Sequence, residues 1–278
     1  MDFSRTRRRT SSRPERGPSV GSLEGKVGLV TGGASGIGRS VVEHLAKAGA
    51  SVMVADVDEI GGAEVADSVG GAFVRTDVSD PEQSQKAVAE TVDRFGRLDI
   101  AHLNAGIITG ESDFGSMSVE AYRRAVGINL DGVVFGAMAV VPAMSEGGAI
   151  IATASLAGLV AYPGDPIYAV TKHAVVGLVR SLGEQLEPRK ITVNAICPGF
   201  VDTQLIGPFA DEFRKAGFPL LTTDDVAEAV LQIVDSDLTG QVFICQPGRT
   251  CSPYKFRGVP GPRVEGAEGM APPVLPSV

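Results

Sequence analysis

Residues 26–56 read KVGLVTGGASGIGRSVVEHLAKAGASVMVAD: an apolar run, a glycine cluster, an amphipathic stretch and a second apolar run that ends on an acid. Lys26 to Thr31 has the composition of a buried strand and leads straight into residues whose valine, leucine and alanine recur at helical spacing. Strand, glycine loop and helix in that order form a phosphate-binding unit, because the helix amino end presents unpaired N–H groups and a positive dipole to an anion. Gly32 allows the tight turn, Gly36 lets backbone approach a pyrophosphate, and Gly38 lets helix pack on strand, with Ser35 and Ile37 completing the loop. The second run closes on Asp56, eighteen residues beyond Gly38 and close to the ~20 at which an acid meets an adenosine ribose. A carboxylate there accepts from both ribose hydroxyls and repels a 2′-phosphate. Val57, Asp58 and Ser35 supply no cation to offset that repulsion, so NAD is expected rather than NADP.

Outward from this unit the pattern repeats. AFVRT from Ala72, a helical stretch from Pro81 to Phe95, LDIAHL from Leu98, a helix from Val119 to Met144 and AIIATA from Ala149 follow in turn. Then come a helix holding Tyr168, ITVNAIC from Ile191, a helix from Asp224 to Val234 and QVFIC from Gln241. Seven strands alternating with helices predict an α/β, single-domain Rossmann fold, a doubly wound seven-stranded parallel sheet with helices on both faces. Right-handed crossovers bring the glycine loop, Asn104 to Gly106, Ser155 and Pro198 to Gly199 to one carboxyl edge, where such sheets bind ligands.

Tyr168 and Lys172 stand four apart in IYAVTKHAVVGLVRSLGEQL, so both side chains leave one face of a helix. Lowering a tyrosine from about 10 to neutrality needs roughly 4 kcal/mol, about what one ammonium at ~4 Å supplies at an effective dielectric near 20. Ser155 follows a buried strand and can hold a substrate oxygen at the same edge.

Formal net charge is −8, although residues 1–21 carry six arginines against Asp2 and Glu15, so the body is more acidic than the whole and nucleic acid is not expected as a partner. Residues 1–22, rich in Arg, Ser and Pro, read as a disordered basic extension; the segment resembles a transit peptide, but a solvated extension is the simpler reading. Residues 23–249 form the dinucleotide-binding catalytic domain, with a substrate lid around 200–222, and 250–278 an irregular Pro/Gly-rich tail. Cys197, Cys245 and Cys251 lack ligand spacing and are odd in number, so neither disulfide nor zinc is expected and a reducing compartment fits. His44, His102 and His173 are scattered and read as packing or surface residues, so no metal site is expected. Apolar runs such as Val133 to Val141 are broken by glycine or proline, and no apolar signal core follows Met1; a cytoplasmic protein without a membrane span is expected.

From about Leu23 to Cys245 the chain resembles a classical short-chain dehydrogenase/reductase. TGGASGIG (Thr31 to Gly38) is similar to that family's cofactor loop, Asp77 with Val78 to its adenine contact, and Asn104, Ala105 and Gly106 to its sheet-stabilising motif. Asn129, Ser155, Tyr168 and Lys172 match its catalytic tetrad, and PGFVDT, with Pro198, Gly199, Val201 and Thr203, its nicotinamide-side loop. The resemblance implies Tyr168 as general acid/base, Lys172 lowering its pKa and holding the nicotinamide ribose, Ser155 bonding the reacting oxygen, and Asn129 anchoring a proton-relay water. SLAGLV, PIYAVTKHAVVGL and NAICPGFVDT resemble most the NAD-dependent branch that includes 15-hydroxyprostaglandin dehydrogenase, although Asp165 stands where that enzyme has a substrate-binding glutamine.

The expected activity is NAD-dependent interconversion of a hydrophobic secondary alcohol and its ketone. A 3-oxoacyl-thioester reductase and a non-catalytic NAD(H)-binding sensor are the alternatives; Asp56 argues against the first and the complete tetrad against the second. Tyr162, Leu205 and Phe209 are expected to line an apolar substrate pocket, with Asp165 binding a remote polar group and Arg214 and Lys215 facing solvent. The resemblance also implies a homotetramer or dimer, through the helices that hold Asn129 and Tyr168.

Overall fold

The computed structural model describes residues 22–258 except 112, 145 and 146, together with Val264; the expectation for residues 1–21 and most of the tail lies outside them. The described residues form eight strands and eight α-helices: β1 (Val27–Thr31), α1 (Gly36–Lys47), β2 (Ser51–Asp56), α2 (Glu59–Ser68), β3 (Ala72–Arg75), α3 (Pro81–Phe95) and β4 (Ile100–Leu103). Then follow α4 (Val119–Val126), α5 (Gly132–Ala143), β5 (Ala149–Thr153), α6 (Pro166–Leu186), β6 (Thr192–Pro198), α7 (Ala210–Ala216), α8 (Thr223–Val234), β7 (Val242–Cys245) and β8 (Ser252–Pro253). Strand order is β3-β2-β1-β4-β5-β6-β7-β8. The direction of winding reverses between β1 and β4, which opens a crevice outside their carboxyl ends.

Both faces of the sheet are covered, so the strands read as continuous apolar runs rather than alternating ones. One core packs α3, α5 and α6 through Val133, Ala137, Val175 and Val179; the other packs α1 and α8 through Val41, Leu45, Val226 and Val230. Val119–Ala143 is the one helical run among the described residues long and apolar enough to cross a membrane. It is a core element here, with Val133, Ala137 and Val140 in the first core.

Three expectations need correction. The sheet has an eighth strand, two residues long, pairing antiparallel to β7 through Phe243↔Pro253 and Ile244↔Ser252. The start of the tail is therefore ordered: it covers the open edge of β7, a device that blunts edge-to-edge association, and Phe256 stacks under the Arg180 guanidinium at 4.0 Å. Cys245 and Cys251 form a disulfide, which closes the β7–β8 turn; spacing alone did not reveal it because the antiparallel return that brings the two together is a tertiary feature. Finally, the long helix from Val119 is interrupted by a π-helical segment at Gly127–Asp131. That widened turn holds Asn129, and such bulges are frequent at functional sites.

Candidate active site

A cleft of about 720 Å³ opens along the carboxyl edge of the sheet. Its lining includes Gly32, Ser35, Gly36, Ile37 and Asp56, Asp77 and Val78, and Asn104, Ala105 and Gly106. Ser155, Tyr168 and Lys172 line it too, together with Pro198, Gly199, Val201, Thr203, Tyr162 and Leu205.

The glycine loop behaves as its spacing requires. A Cβ on Gly38 would lie 2.0 Å from the Gly32 carbonyl oxygen, and one on Gly32, at φ +65°, 2.9 Å from Ala105 Cα. Gly36, at φ +54°, faces open space apart from the Thr203 methyl at 3.5 Å. Ser35 caps α1 without a side-chain hydrogen bond, so the helix amino end stays free for an anion. Asp56 is oriented from its own loop: Ala34 N donates to Oδ2 at 2.9 Å and Asp58 N to Oδ1 at 3.0 Å.

Asn104 links β1, β4 and β5. Its Nδ2 donates to the Thr31 carbonyl at 3.1 Å, and its Oδ1 accepts from Thr153 Oγ1 at 3.0 Å. Lys172, 2% exposed, donates from Nζ to the Thr153 carbonyl at 2.7 Å, and lies 5.6 Å from the Tyr168 ring centroid. Burial holds Lys172 down to about 8. Burial also pushes Tyr168 up to about 12, opposed by the neighbouring Ser155 hydroxyl. Desolvation penalises the phenolate and the ammonium together, so burial outweighs the neighbouring groups and leaves the phenol above its ordinary value.

A family profile described as Enoyl-(Acyl carrier protein) reductase matches residues 32–250, most of the chain. The chain is a short-chain dehydrogenase/reductase. The cyclohexanol dehydrogenase of Acinetobacter sp. is 33% identical over 79% of this chain and 92% of its own length. The 2,5-dichloro-2,5-cyclohexadiene-1,4-diol dehydrogenase of Sphingobium indicum is 41% identical over 67% of this chain and 77% of its own. Among solved structures, 3-ketoacyl-(acyl-carrier-protein) reductase from Brucella melitensis complexed with NADH is 33% identical, with a TM-score of 0.78 over 82% of this chain and 100% of the other. The protein is an oxidoreductase that uses a nicotinamide dinucleotide, and its residues fit that group. The free end of α1, the open Gly36 and the oriented Asp56 carboxylate suit a pyrophosphate and a ribose in succession.

The dehydrogenase/reductase departs from expectation at two side chains, Asp165 and Phe209. Asn129 is buried behind the cleft wall with its amide engaged: Oδ1 accepts from Ile107 N at 2.8 Å, and Nδ2 donates to the Ile107 carbonyl at 2.8 Å and Thr171 Oγ1 at 3.3 Å. It thereby positions the backbone that follows Gly106. Asp165 is no substrate ligand, since its carboxylate caps α6 by accepting from Tyr168 N at 2.9 Å and also accepts from Thr109 N at 2.7 Å. Phe209 is half exposed and outside the cleft, because the 3₁₀ turn Gln204–Phe209 directs Leu205 and Ile206 inward instead. Gly38 packs against the Gly32 carbonyl as expected. Arg214 faces solvent as expected and pairs with Asp211.

Sequence reasoning missed Ile107, Ile108, Ile128, Gln204, Gln246 and Pro247, all on the cleft wall. The first two follow Gly106 directly, and continuing the strand-end argument by two residues would have found them.

Proposed function

We propose that the protein interconverts a hydrophobic secondary alcohol and its ketone with NAD, Tyr168 serving as general acid/base. The observation that carries this reading is the meeting of Tyr168, Lys172 and Ser155 on the wall of a cleft whose remaining lining is largely aliphatic and aromatic. When bound, the nicotinamide ring accepts or donates the hydride. Tyr168 Oη takes the proton of the carbinol hydroxyl in oxidation and returns one to the carbonyl oxygen in reduction. Ser155 Oγ hydrogen-bonds the same oxygen. Lys172, held on the Thr153 carbonyl, sets a positive charge beside the phenol, and a second cation in the cleft would add its own pull on the phenolate. Asn129 acts through Ile107, holding the strand end that faces the substrate. NAD is favoured over NADP because Asp56 meets the ribose with a charge that repels a 2′-phosphate.

Residues 200–222 supply the lid. Their base is tied by the Val201↔Leu221 bridge, and Phe200, Phe213 and Phe218 cluster, with Phe200–Phe213 centroids 4.5 Å apart. Self-association through α5 and α6 belongs to the same reading, supported by Met138 and Val170, 67% and 57% exposed on those helices; light scattering at micromolar concentration tests it, and a clean monomer counts against it.

The decisive experiment is a screen of cyclic and acyclic secondary alcohols and their ketones with NAD beside NADP. Efficient turnover confined to sugar phosphates, with hydrophobic alcohols neither reacting nor inhibiting, would sink the proposal. A 3-oxoacyl-thioester reductase remains the second reading, favoured by the likeness to the NADH-complexed Brucella enzyme. Under that reading an acetoacetyl thioester exceeds every simple ketone in kcat/KM.

A further inference from the structure

A side pocket of about 440 Å³ is lined by Ile107, Ile108, Arg124, Ile128, Gln204 and Leu205. Five of these six also line the main cleft, so the pocket is an extension of its substrate end; only Arg124 is new. Arg124 is exposed and, among the described residues, neither it nor Gln204 makes a side-chain hydrogen bond or ion pair. Its position does not serve the helix dipole either. The backbone stays helical at Gly127 (φ −57°, ψ −42°) and runs on through the π-segment into α5, so no free carboxyl end lies beside the guanidinium. The result is an aliphatic trough with one cation and one amide at its outer end.

We propose that Arg124 and Gln204 form a carboxylate subsite, and that the preferred substrate is a hydrophobic secondary alcohol or ketone bearing a carboxylate remote from the reacting carbon. The proposal rests on the hydride-transfer reading above and names its substrate class. A guanidinium presents paired donors that match a carboxylate in one plane, and the amide N–H₂ of Gln204 adds a third direction of approach. The isoleucines hold the carbon skeleton between the two ends, so the charge selects among skeletons of similar shape.

The test compares 3- and 4-hydroxycyclohexanecarboxylate with their methyl esters in wild type, Arg124→Met and Arg124→Lys. The ratio of kcat/KM for acid over ester favours the acid in wild type, falls about tenfold in Arg124→Met, as loss of one partly exposed charge-assisted contact implies, and is partly kept in Arg124→Lys. An equal ratio in all three proteins overturns the subsite while leaving the dehydrogenase reading intact. If no alcohol or ketone turns over with either dinucleotide, that reading fails separately, and calorimetric titration with unreactive cyclohexanecarboxylate decides the subsite. Binding about tenfold weaker in Arg124→Met upholds it; equal binding, or none to wild type, overturns it.

Discussion

Lys172 spans from α6 to the end of β5, its Nζ donating to the Thr153 carbonyl at 2.7 Å. That bond fixes the ammonium on the sheet side of Tyr168 and couples the catalytic helix to the strand that leads into Ser155. It also buries a charge, and the consequences for activity and stability oppose each other.

For activity, Tyr168→Phe removes the proton carrier and lowers kcat by about 10²- to 10⁴-fold, with NADH affinity nearly intact. Stopped-flow turnover and cofactor titration separate the two effects. In wild type, kcat/KM for alcohol oxidation rises with pH as the phenol ionises. The residual activity of Lys172→Met has that limb moved to higher pH, because a positive charge favouring the phenolate is gone. Substantial activity in the phenylalanine variant removes Tyr168 from its role.

For stability the sign reverses. Burial holds Lys172 at about 8, so between there and its ordinary value of 10.5 the unfolded chain binds a proton that the folded chain does not, and stability rises with pH. The penalty is fully present below pH 8. Lys172→Met therefore stabilises the cofactor-free protein at pH 7 by about 2 kcal/mol, taking about 1.4 kcal/mol per tenfold in proton affinity less one lost hydrogen bond. The gain shrinks toward pH 10.5. Urea midpoints at pH 7 and 10 measure it, and a less stable variant at pH 7 shows that the lysine is net stabilising.

Asp56 and Val57 set the cofactor choice. Val57 is 55% exposed at the rim of the cleft, so Asp56→Ala with Val57→Arg exchanges a fixed negative charge for a mobile positive one. The ratio of kcat/KM for NADP over NAD should rise at least about tenfold, the worth of one charge-assisted contact. A wild-type preference for NADP contradicts the ribose assignment.

Gly36 and Gly38 separate two uses of glycine in one loop. Gly38→Ala drives a methyl against the Gly32 carbonyl, 2.0 Å away, and should cost about 3 kcal/mol or more through a forced backbone shift. Gly36→Ala strains a positive φ by about 1 kcal/mol but meets only the Thr203 methyl, so it spares the fold and raises KM for the cofactor. Thermal melts beside cofactor titrations distinguish the two, and equal melting temperatures would contradict the packing role.

The Cys245–Cys251 bridge closes a loop of six residues, for which the chain-entropy relation gives about 2 kcal/mol. Cys251→Ser should lose about that much, and reductant should lower the wild-type melt but not the variant's. Cys197 is the one free thiol, buried and pushed up to about 12. Thiol titration in denaturant should thus count one group before reduction and three after; three from the start would show that the bridge does not form.

The sequence by itself determined the doubly wound sheet, the cofactor end of the cleft and the Ser155, Tyr168 and Lys172 positions. All of these depend on local signals: buried apolar runs, helical periodicity, glycine spacing and the rule that strand ends share one edge. Tertiary structure alone decided what depends on partners distant in the chain. Asp165 could have met a substrate as easily as a helix end until Thr109 was seen to claim its second oxygen. Asn129 is placed by its motif alone, and only the folded π-turn shows its amide bonded to the Ile107 backbone. Arg124 reads as one more surface arginine until it is seen to line a pocket together with five residues of the cleft. Burial, finally, moved Tyr168 opposite to what a neighbouring lysine implies, because a pKa is set by every group that replaces water around the phenol, and that enclosure exists only once the chain has folded.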